Sequence, residues 1–304
     1  YPAGDEMVLV YQLTGRIVPE MGIPKSVGCV VINAETCINL YQAEQGQPVT
    51  EKYITLAGDI PVPKTVKVPI GTPIAEVLRM SGAECLEEYG VIRGGPMMGS
   101  LLEDLNDGIT KKDKGFILLK KDHPLIRKKS CTESSAKRIN RSACEQCRMC
   151  TDLCPRFLLG HNMQPHKMMR TLSYAPNDAS LQSIAALCSQ CNLCEYFSCP
   201  ANLHPRMTNA IVKQNLAKAT LRYHPTSQEY AARESRPYRL VPSKRLIARL
   251  GLREFDRPAP WSEEAVAPAE VCIAMKQNAG VPAKPVVHIG QRVLKNEVIG
   301  EVDA

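Results

Sequence analysis

The stretch Cys144-Glu145-Gln146-Cys147-Arg148-Met149-Cys150-Thr151-Asp152-Leu153-Cys154-Pro155 decides how this chain is read. Its spacing is C-x2-C-x2-C-x3-C-P, and Cys188, Cys191, Cys194 and Cys199 with Pro200 repeat it as C-x2-C-x2-C-x4-C-P. Three thiolates at two-residue intervals can wrap one corner of a cubane iron–sulfur cluster, since each step turns the next sulfur back toward the same centre; a fourth must arrive from elsewhere. Zinc also takes four thiolates and is the competing reading, but its sites usually present separated C-x2-C pairs, with no use for a third Cys in register or a trailing Pro. The extra residue between Cys194 and Cys199 predicts a small bulge, able to alter hydrogen bonds to sulfur, and hence potential, without changing ligation.

The double motif resembles that of two-cluster ferredoxins, in which the Cys before Pro ligates the other cluster. That resemblance implies one [4Fe–4S] cluster on Cys144, Cys147, Cys150 and Cys199 and a second on Cys188, Cys191, Cys194 and Cys154. A pair of one-electron centres implies electron transfer, with clusters acting only as structural staples as the bland alternative. The remaining Cys29, Cys37, Cys85, Cys131 and Cys272 are isolated and read as buried small hydrophobes, with Cys131 beside a basic run. Thirteen cysteines in all, an odd number without the spacing of a secreted scaffold, do not describe a disulfide framework. His161, His166 and His204 lie beside the motifs; they are candidates to tune potential or to serve a corrinoid as axial ligand, while helix capping or a solvated face is the simpler reading.

Working outward, 304 residues predict two or three domains, and 44% hydrophobic with 23% charged residues is an ordinary globular balance that excludes a mostly disordered chain. The net charge of +7 is local: 111–141 carries eleven basic and three acidic side chains, so a solvated connector is favoured over a nucleic-acid surface. No run of about 18 apolar residues predicts a transmembrane helix, and no basic-then-apolar start reads as a signal peptide.

In 1–45 short apolar runs (Met7 to Val10, Val27 to Ile32) read as the closing part of an α/β domain. Residues 46–105 read as a compact α+β unit: strands Tyr53 to Leu56 and Thr65 to Val68, then a helix capped by Thr72, started by Pro73, burying Ile74, Val77 and Leu78 and stopping near Gly82. Residues 106–140 read as a basic connector with one apolar stretch, Phe116 to Leu119. Residues 141–222 hold the cysteine motifs, a helix-compatible segment from Pro165 to Leu187, and a helix from Pro205 to about Leu221 with Met207, Ala210, Ile211, Ala217 and Leu221 on one face. Residues 223–267 form a Pro- and Arg-rich strap, and 268–304 a partial β domain.

Two further stretches carry a family resemblance. Tyr1-Pro2-Ala3-Gly4-Asp5-Glu6 resembles the Tyr-x-x-Gly-acid-Glu loop of the flavin-binding subunit of respiratory complex I, and Val30-Val31-Ile32-Asn33-Ala34-Glu35-Thr36 resembles its Val-Val-Asn-Asn-Val-Glu-Thr segment. The resemblance implies that Tyr1, Gly4, Asp5 and Glu6 lie along the flavin or nicotinamide and that Asn33 and Thr36 lie near the FMN phosphate and ribityl chain. Ile32 stands where the family has its first Asn. The family's glycine-rich flavin loop lies upstream of these motifs, so the chain reads as a fragment with an incomplete FMN site. Ala57-Gly58-Asp59, Pro69-Ile70-Gly71-Thr72-Pro73 and Gly94-Gly95-Pro96-Met97-Met98-Gly99 resemble the soluble-ligand-binding β-grasp (SLBB) domain that follows; the last stretch lacks the Lys-Ser/Thr of a phosphate loop and reads as a turn.

The double cluster motif departs from the complex I subunit, which carries a single cluster there. It leaves two related families, the RnfC subunits of the Rnf electron-transport complex and the cobalamin reductases of propanediol-utilising microcompartments. Gln277 to Val287 followed by Gly290-Gln291-Arg292-Val293 resembles a barrel-sandwich domain; its position after the clusters is the order of the cobalamin reductases, whereas the Rnf subunit carries it first. The implied architecture is therefore α+β and multidomain: the end of an α/β flavin domain, an SLBB β-grasp domain, an α-helical two-cluster ferredoxin domain and a partial barrel-sandwich.

The implied activity is an NADH-dependent flavin and iron–sulfur cobalamin reductase, in which FMN and two [4Fe–4S] clusters reduce a corrinoid. A cobalamin adenosyltransferase is an admitted partner, and the implied location is the cytoplasm, including the interior of a microcompartment. The β-grasp unit reads as a brace for the flavin domain rather than a corrinoid holder. The alternatives are an Rnf-type subunit with a different acceptor, and a non-redox scaffold or nucleic-acid binder with structural clusters.

Overall fold

The computed structural model describes residues 1–171, 177–225, 227, 229–277 and 279–302. They form two compact units, each built from two separate stretches: Tyr1–Val31 with Ser130–Arg253, and Ile32–Lys129 with Glu254–Ala304.

The second unit is organised by a five-stranded mixed sheet of β1 (Glu51–Gly58), β2 (Lys64–Pro69), β3 (Tyr89–Arg93), β4 (Ser100–Leu101) and β5 (Gly115–Lys120), in the order β2-β1-β5-β3-β4. Alternation sends Ile54 and Leu56 of β1, and Val66 and Val68 of β2, to one face, where the helix Ile74–Arg79 lays Ile74, Val77 and Leu78 over them. Thr72 does not cap this helix. Its hydroxyl donates to the Pro69 carbonyl, and the first helical N–H groups, of Ile74 and Ala75, donate instead to the Asp107 and Leu105 carbonyls, so no side-chain cap is required. Gly82 does adopt the left-handed conformation beyond the helix end, at φ 78°.

The stretch read as a basic connector is different in the structure. Phe116 to Leu119 lies within β5, the central strand, parallel to β1 (Leu56 opposite Phe116) and antiparallel to β3 (Ile92 opposite Ile117). Phe116 and Leu118 are buried in the core. The lysines on either side mask a four-residue apolar run whose partners lie far off in sequence, and such non-local pairing leaves no local signal. The Gly94–Gly99 stretch is the turn joining β3 to β4, and Lys129 Nζ donates to the Gly99 carbonyl at 2.5 Å.

The end of the strap extends this sheet's edge: Thr65 N donates to Pro260 O, Ser262 N to Thr65 O, and the Trp261 ring packs at 5.6 Å on Tyr53. The tail contributes one short antiparallel pair, Lys284–Pro285 with Gly300–Glu301; Asn278 lies outside the described residues.

In the first unit the run Met7 to Val10 is helical, within Glu6–Thr14, because the Asp5 carboxylate accepts from Met7 N and Val8 N and Gly15 closes the other end at φ 71°. Among the described residues no strand precedes Glu51, and Val30 and Ile32 are 81% and 52% exposed. Residues 172–176 of the expected Pro165 to Leu187 segment lie outside the described residues, and its flanks form helices Pro165–Arg170 and Ala179–Ser183.

The helix after Pro205 runs over Pro205–Lys218 and buries Thr208, Asn209, Ile211, Val212 and Leu216, while Ala217 and Leu221 are exposed. Its buried face is rotated from the apolar stripe because Thr208 and Asn209 go inside with partners: Asn140 Nδ2 donates to Thr208 Oγ1 at 2.9 Å and Asn209 Nδ2 to Pro205 O at 2.7 Å. The first part of the strap folds here too, with helix Ser243–Arg249 and buried Val241, Leu246 and Leu250.

Candidate iron–sulfur centre

Each cysteine motif is shaped by two non-glycine residues in the left-handed region at equivalent places: Gln146 and Arg148 (φ 58° and 68°) in the first, Gln190 and Asn192 (φ 59° and 64°) in the second. Left-handed backbone costs roughly 1–2 kcal/mol per residue, and its recurrence marks a constraint imposed at a functional site. These turns keep the first three sulfurs of each motif about one centre. The fourth cysteine escapes because proline follows it. Pro disfavours the helical region for the preceding residue, and Cys154 (ψ 123°) and Cys199 (ψ 115°) are extended and lead the chain away from their own motif.

The outcome is two cavities with crossed membership. One, of about 300 Å³ including its mouth, is lined by Cys188, Cys191, Cys194 and Cys154; the other, of about 480 Å³, by Cys144, Cys147, Cys150 and Cys199. We call them inner and outer. Cys154, Cys191 and Cys194 are buried, whereas in the outer set only Cys150 is buried and Cys147 is exposed.

Donors already face the sulfurs: Gln146 Nε2 donates to Cys144 Sγ at 3.2 Å, Gln190 N to Cys188 Sγ at 3.4 Å, and Leu203 N to Cys199 Sγ at 3.3 Å. The extra residue of the second motif is absorbed as a single π-helical turn, Cys194–Ser198, with Ser198 Oγ donating to Leu193 O at 2.9 Å.

These residues fit two [4Fe–4S] clusters. Among the described residues no three His, Cys, Asp or Glu side chains converge closely enough to hold a single metal ion, whereas each cysteine set surrounds a cavity. Tetrahedral zinc needs all its sulfurs at about 2.3 Å from one point. Burial, reinforced by neighbouring sulfurs, pushes the thiols of Cys154 and Cys194 up and that of Cys150 up to about 12, so holding them as thiolates calls for the positive charge of a bound metal.

Arg206 was not among the sequence candidates. It lines the inner cavity, and its buried Nε has no hydrogen-bond partner among the described residues, which suits an anionic cluster beside it. His166 lines the outer cavity in the corresponding way. The signal lay in the repeat of Cys-Pro followed by a second proline, Pro165-His166 and Pro205-Arg206. A donor and a positive charge favour the more negative, reduced cluster. Arg206→Gln is therefore expected to lower the midpoint potential of the inner cluster by about 60 mV, one charge-assisted hydrogen bond, with Arg206→Lys intermediate and the outer cluster unmoved. An EPR-monitored redox titration reads this directly.

The three histidines are buried rather than solvated. His161 Nε2 donates to Val18 O at 2.9 Å, the Thr151 hydroxyl lies 2.7 Å from His166 Nδ1, and His204 Nδ1 lies 3.1 Å from the buried Glu195 carboxylate. Desolvation lowers the pKa of His161 and, aided by Arg148, Arg170 and Lys167, that of His166 to about 4, so both are neutral at pH 7. None of the five isolated cysteines is buried: Cys29 and Cys131 are half-buried and Cys37, Cys85 and Cys272 exposed, each outside the two cores.

The flavin-type residues divide between the units. Gly4 and Glu6 are exposed, with nothing within 4 Å of where a Gly4 Cβ would stand. Tyr1 and Asp5 are engaged: Tyr1 Oη donates to Cys191 O at 2.8 Å, and Asp5 pairs with Arg156 at 3.0 Å. Asn33 and Thr36 lie in the other unit at the exposed start of helix Ala34–Glu44, where Asn33 Oδ1 accepts from Glu35 N.

Comparison with known proteins accords with this geometry. A 4Fe-4S dicluster domain model matches residues 143–204, a Nuo51 FMN-binding domain model residues 1–42, and an RnfC barrel sandwich hybrid domain model residues 261–304. Over 304 residues the chain is 40% identical to cobalamin reductase PduS of Salmonella typhimurium, covering 99% of this chain and 67% of that protein. The chain belongs to the PduS cobalamin reductase family.

The PduS of Citrobacter freundii is 38% identical with the same coverage. A component of the proton-translocating ferredoxin:NAD(+) oxidoreductase complex of Clostridium ljungdahlii is 35% identical over 160 residues, 52% of this chain and 32% of that protein. As a member of the family the chain is an electron-transfer oxidoreductase whose cofactors are [4Fe–4S] clusters and FMN. Among the described residues no helix is long and apolar enough to cross a membrane.

Proposed function

We propose that the chain passes electrons from NADH, by way of FMN and two [4Fe–4S] clusters, to the cobalt of a corrinoid. The observation that carries this reading is the pair of four-cysteine cavities within one unit, with Tyr1 of the flavin-family segment hydrogen-bonded to Cys191. When bound, FMN takes the two electrons of NADH together and the clusters pass electrons singly, which suits the one-electron steps from Co(III) to Co(II) and to Co(I).

The chain's own part is to hold and screen these groups. Cys144, Cys147, Cys150 and Cys199 hold one cluster and Cys188, Cys191, Cys194 and Cys154 the other; Gly4 and Glu6 leave room for the flavin ring, and Tyr1 and Asp5 position that loop. The mixed sheet over residues 51–120 is read as an SLBB β-grasp domain. Work in the cytoplasm, within a microcompartment shell and beside a cobalamin adenosyltransferase, follows from the same reading.

An Rnf-type acceptor is the second reading, and the tail argues against it: the barrel-sandwich match follows the dicluster match along the chain. The deciding experiment mixes the anaerobic reconstituted protein with NADH and hydroxocobalamin and follows the corrinoid's visible spectrum. Conversion to Co(II) is expected. Bleaching of flavin and clusters with the corrinoid left as Co(III) would transfer the argument to the Rnf-type reading.

A further inference from the structure

Resting on that reading of the flavin site, we propose that the two clusters work in a set order: the inner group, Cys154, Cys188, Cys191 and Cys194, receives electrons from the flavin, and the outer group, Cys144, Cys147, Cys150 and Cys199, delivers them to the acceptor.

The order follows from where the flavin-family segment is anchored. Tyr1 Oη donates to the carbonyl of Cys191, an inner cysteine, at 2.8 Å. Asp5 pairs at 3.0 Å with Arg156, two residues beyond Cys154, the inner cysteine that comes from the first motif. Further along, Val18 O accepts from His161 Nε2 at 2.9 Å, and Glu20 accepts from Asn162 N at 2.5 Å and from the Tyr223 hydroxyl at 2.8 Å. Apart from the Tyr223 bond, each of these attaches the segment to the chain that follows Cys154 or to Cys191 itself. The outer cysteines are held otherwise, with Cys144 and Cys199 accepting from Gln146 and Leu203.

Exposure orders the far end. Electron transfer weakens steeply with distance, so the group that meets an outside acceptor must reach the surface. Cys147 is exposed and Cys144 and Cys199 are half-buried, whereas three of the four inner cysteines are buried. The inner group thus has a bonded route to the flavin loop and little surface, and the outer group has the surface. Oxidation of one NADH to NAD⁺ releases one proton and two electrons; these cross inner then outer group singly and reduce two Co(III) centres to Co(II).

The test is rapid-freeze EPR of the reconstituted protein after mixing with NADH. Arg206→Gln, which changes only the inner cavity's lining, marks the inner signal without removing a ligand. In the unaltered protein the inner signal should rise first. In Cys188→Ser, NADH should reduce the outer cluster at least tenfold more slowly while dithionite still reduces it; in Cys147→Ser, NADH should still reduce the inner cluster while corrinoid reduction falls at least tenfold.

Fast reduction of the outer cluster by NADH in Cys188→Ser overturns the order. If both variants lose both clusters, a water-soluble paramagnetic relaxation agent decides on dithionite-reduced unaltered protein: it should relax the outer signal several-fold more than the inner, and equal or reversed effects overturn the proposal. If NADH reduces neither flavin nor cluster in the unaltered protein while dithionite reduces both clusters, the flavin reading itself fails and the order falls with it, an outcome distinct from a reversed order.

Discussion

Cys154→Ala is expected to halve the iron content, from about eight to about four atoms per chain, and to remove the same EPR signal that Cys188→Ala removes. The effect crosses the sequence. Cys154 belongs by position to the motif of Cys144, Cys147 and Cys150, yet it lines the cavity of Cys188, Cys191 and Cys194. Cys199→Ala is the mirror case and should remove the signal lost in Cys144→Ala. If Cys154→Ala and Cys144→Ala instead erase one and the same signal, the ligands are not crossed.

The lost cluster should not be regained with a serine at position 154. The thiol there is pushed up by burial in a site surrounded by other sulfurs, and an alcohol in that setting is harder still to ionise. Because a thiol must give up its proton to bind iron, and burial makes the thiols of Cys150, Cys154, Cys188, Cys191 and Cys194 hold theirs more tightly, cluster assembly on the iron-free protein should accelerate as pH rises.

Asp5→Ala is expected to cost about 3–5 kcal/mol through loss of the buried ion pair with Arg156, plus about 1 kcal/mol for the helix cap. Both side chains are largely buried, Arg156 8% and Asp5 14% exposed, so removing the carboxylate leaves a guanidinium with no anionic partner among the described residues; its Nη1 already lacks a hydrogen bond. The same carboxylate accepts from Met7 N and Val8 N. At roughly 2–4 °C per kcal/mol for a unit of this size, the melting temperature should fall by about 10 °C or more.

Asp5→Asn keeps an oxygen for the cap and should fall between. Adding Arg156→Leu to Asp5→Ala should recover most of the loss, because it removes the stranded charge. A double variant no more stable than Asp5→Ala would mean that the pair is not what holds the Tyr1–Glu6 loop against the cluster unit. Calorimetry of the four proteins decides it.

The eight cysteines and two prolines were legible because their chemistry is local: C-x2-C-x2-C closes sulfurs about a centre whatever surrounds it, and X-Pro bends the chain away at Cys154 and Cys199. The same holds for Ile74, Val77 and Leu78, whose spacing alone places them on one face. The Tyr1–Glu6 and Val30–Thr36 stretches were legible only as a family likeness, since nothing in a six-residue polar turn by itself dictates a flavin.

What only the tertiary structure decided is long-range. The lysine-flanked Phe116 to Leu119 became the middle of a sheet because its partners are β1 and β3, and strand pairing distant in sequence writes no periodicity into the strand itself. Thr208 and Asn209 turned the helix after Pro205 because Asn140 and Pro205 supply their hydrogen bonds, which hydropathy spacing ignores. Tyr1 on Cys191, Asp5 on Arg156 and the placing of Arg206, whose Nε has no partner among the described residues, at the inner cavity depend on residues up to some two hundred positions apart. The sequence by itself determined the chemistry of the cysteine motifs, since ligand spacing is a property of the local backbone; which of the two motifs Tyr1 bonds to was decided by packing, a property of the whole chain.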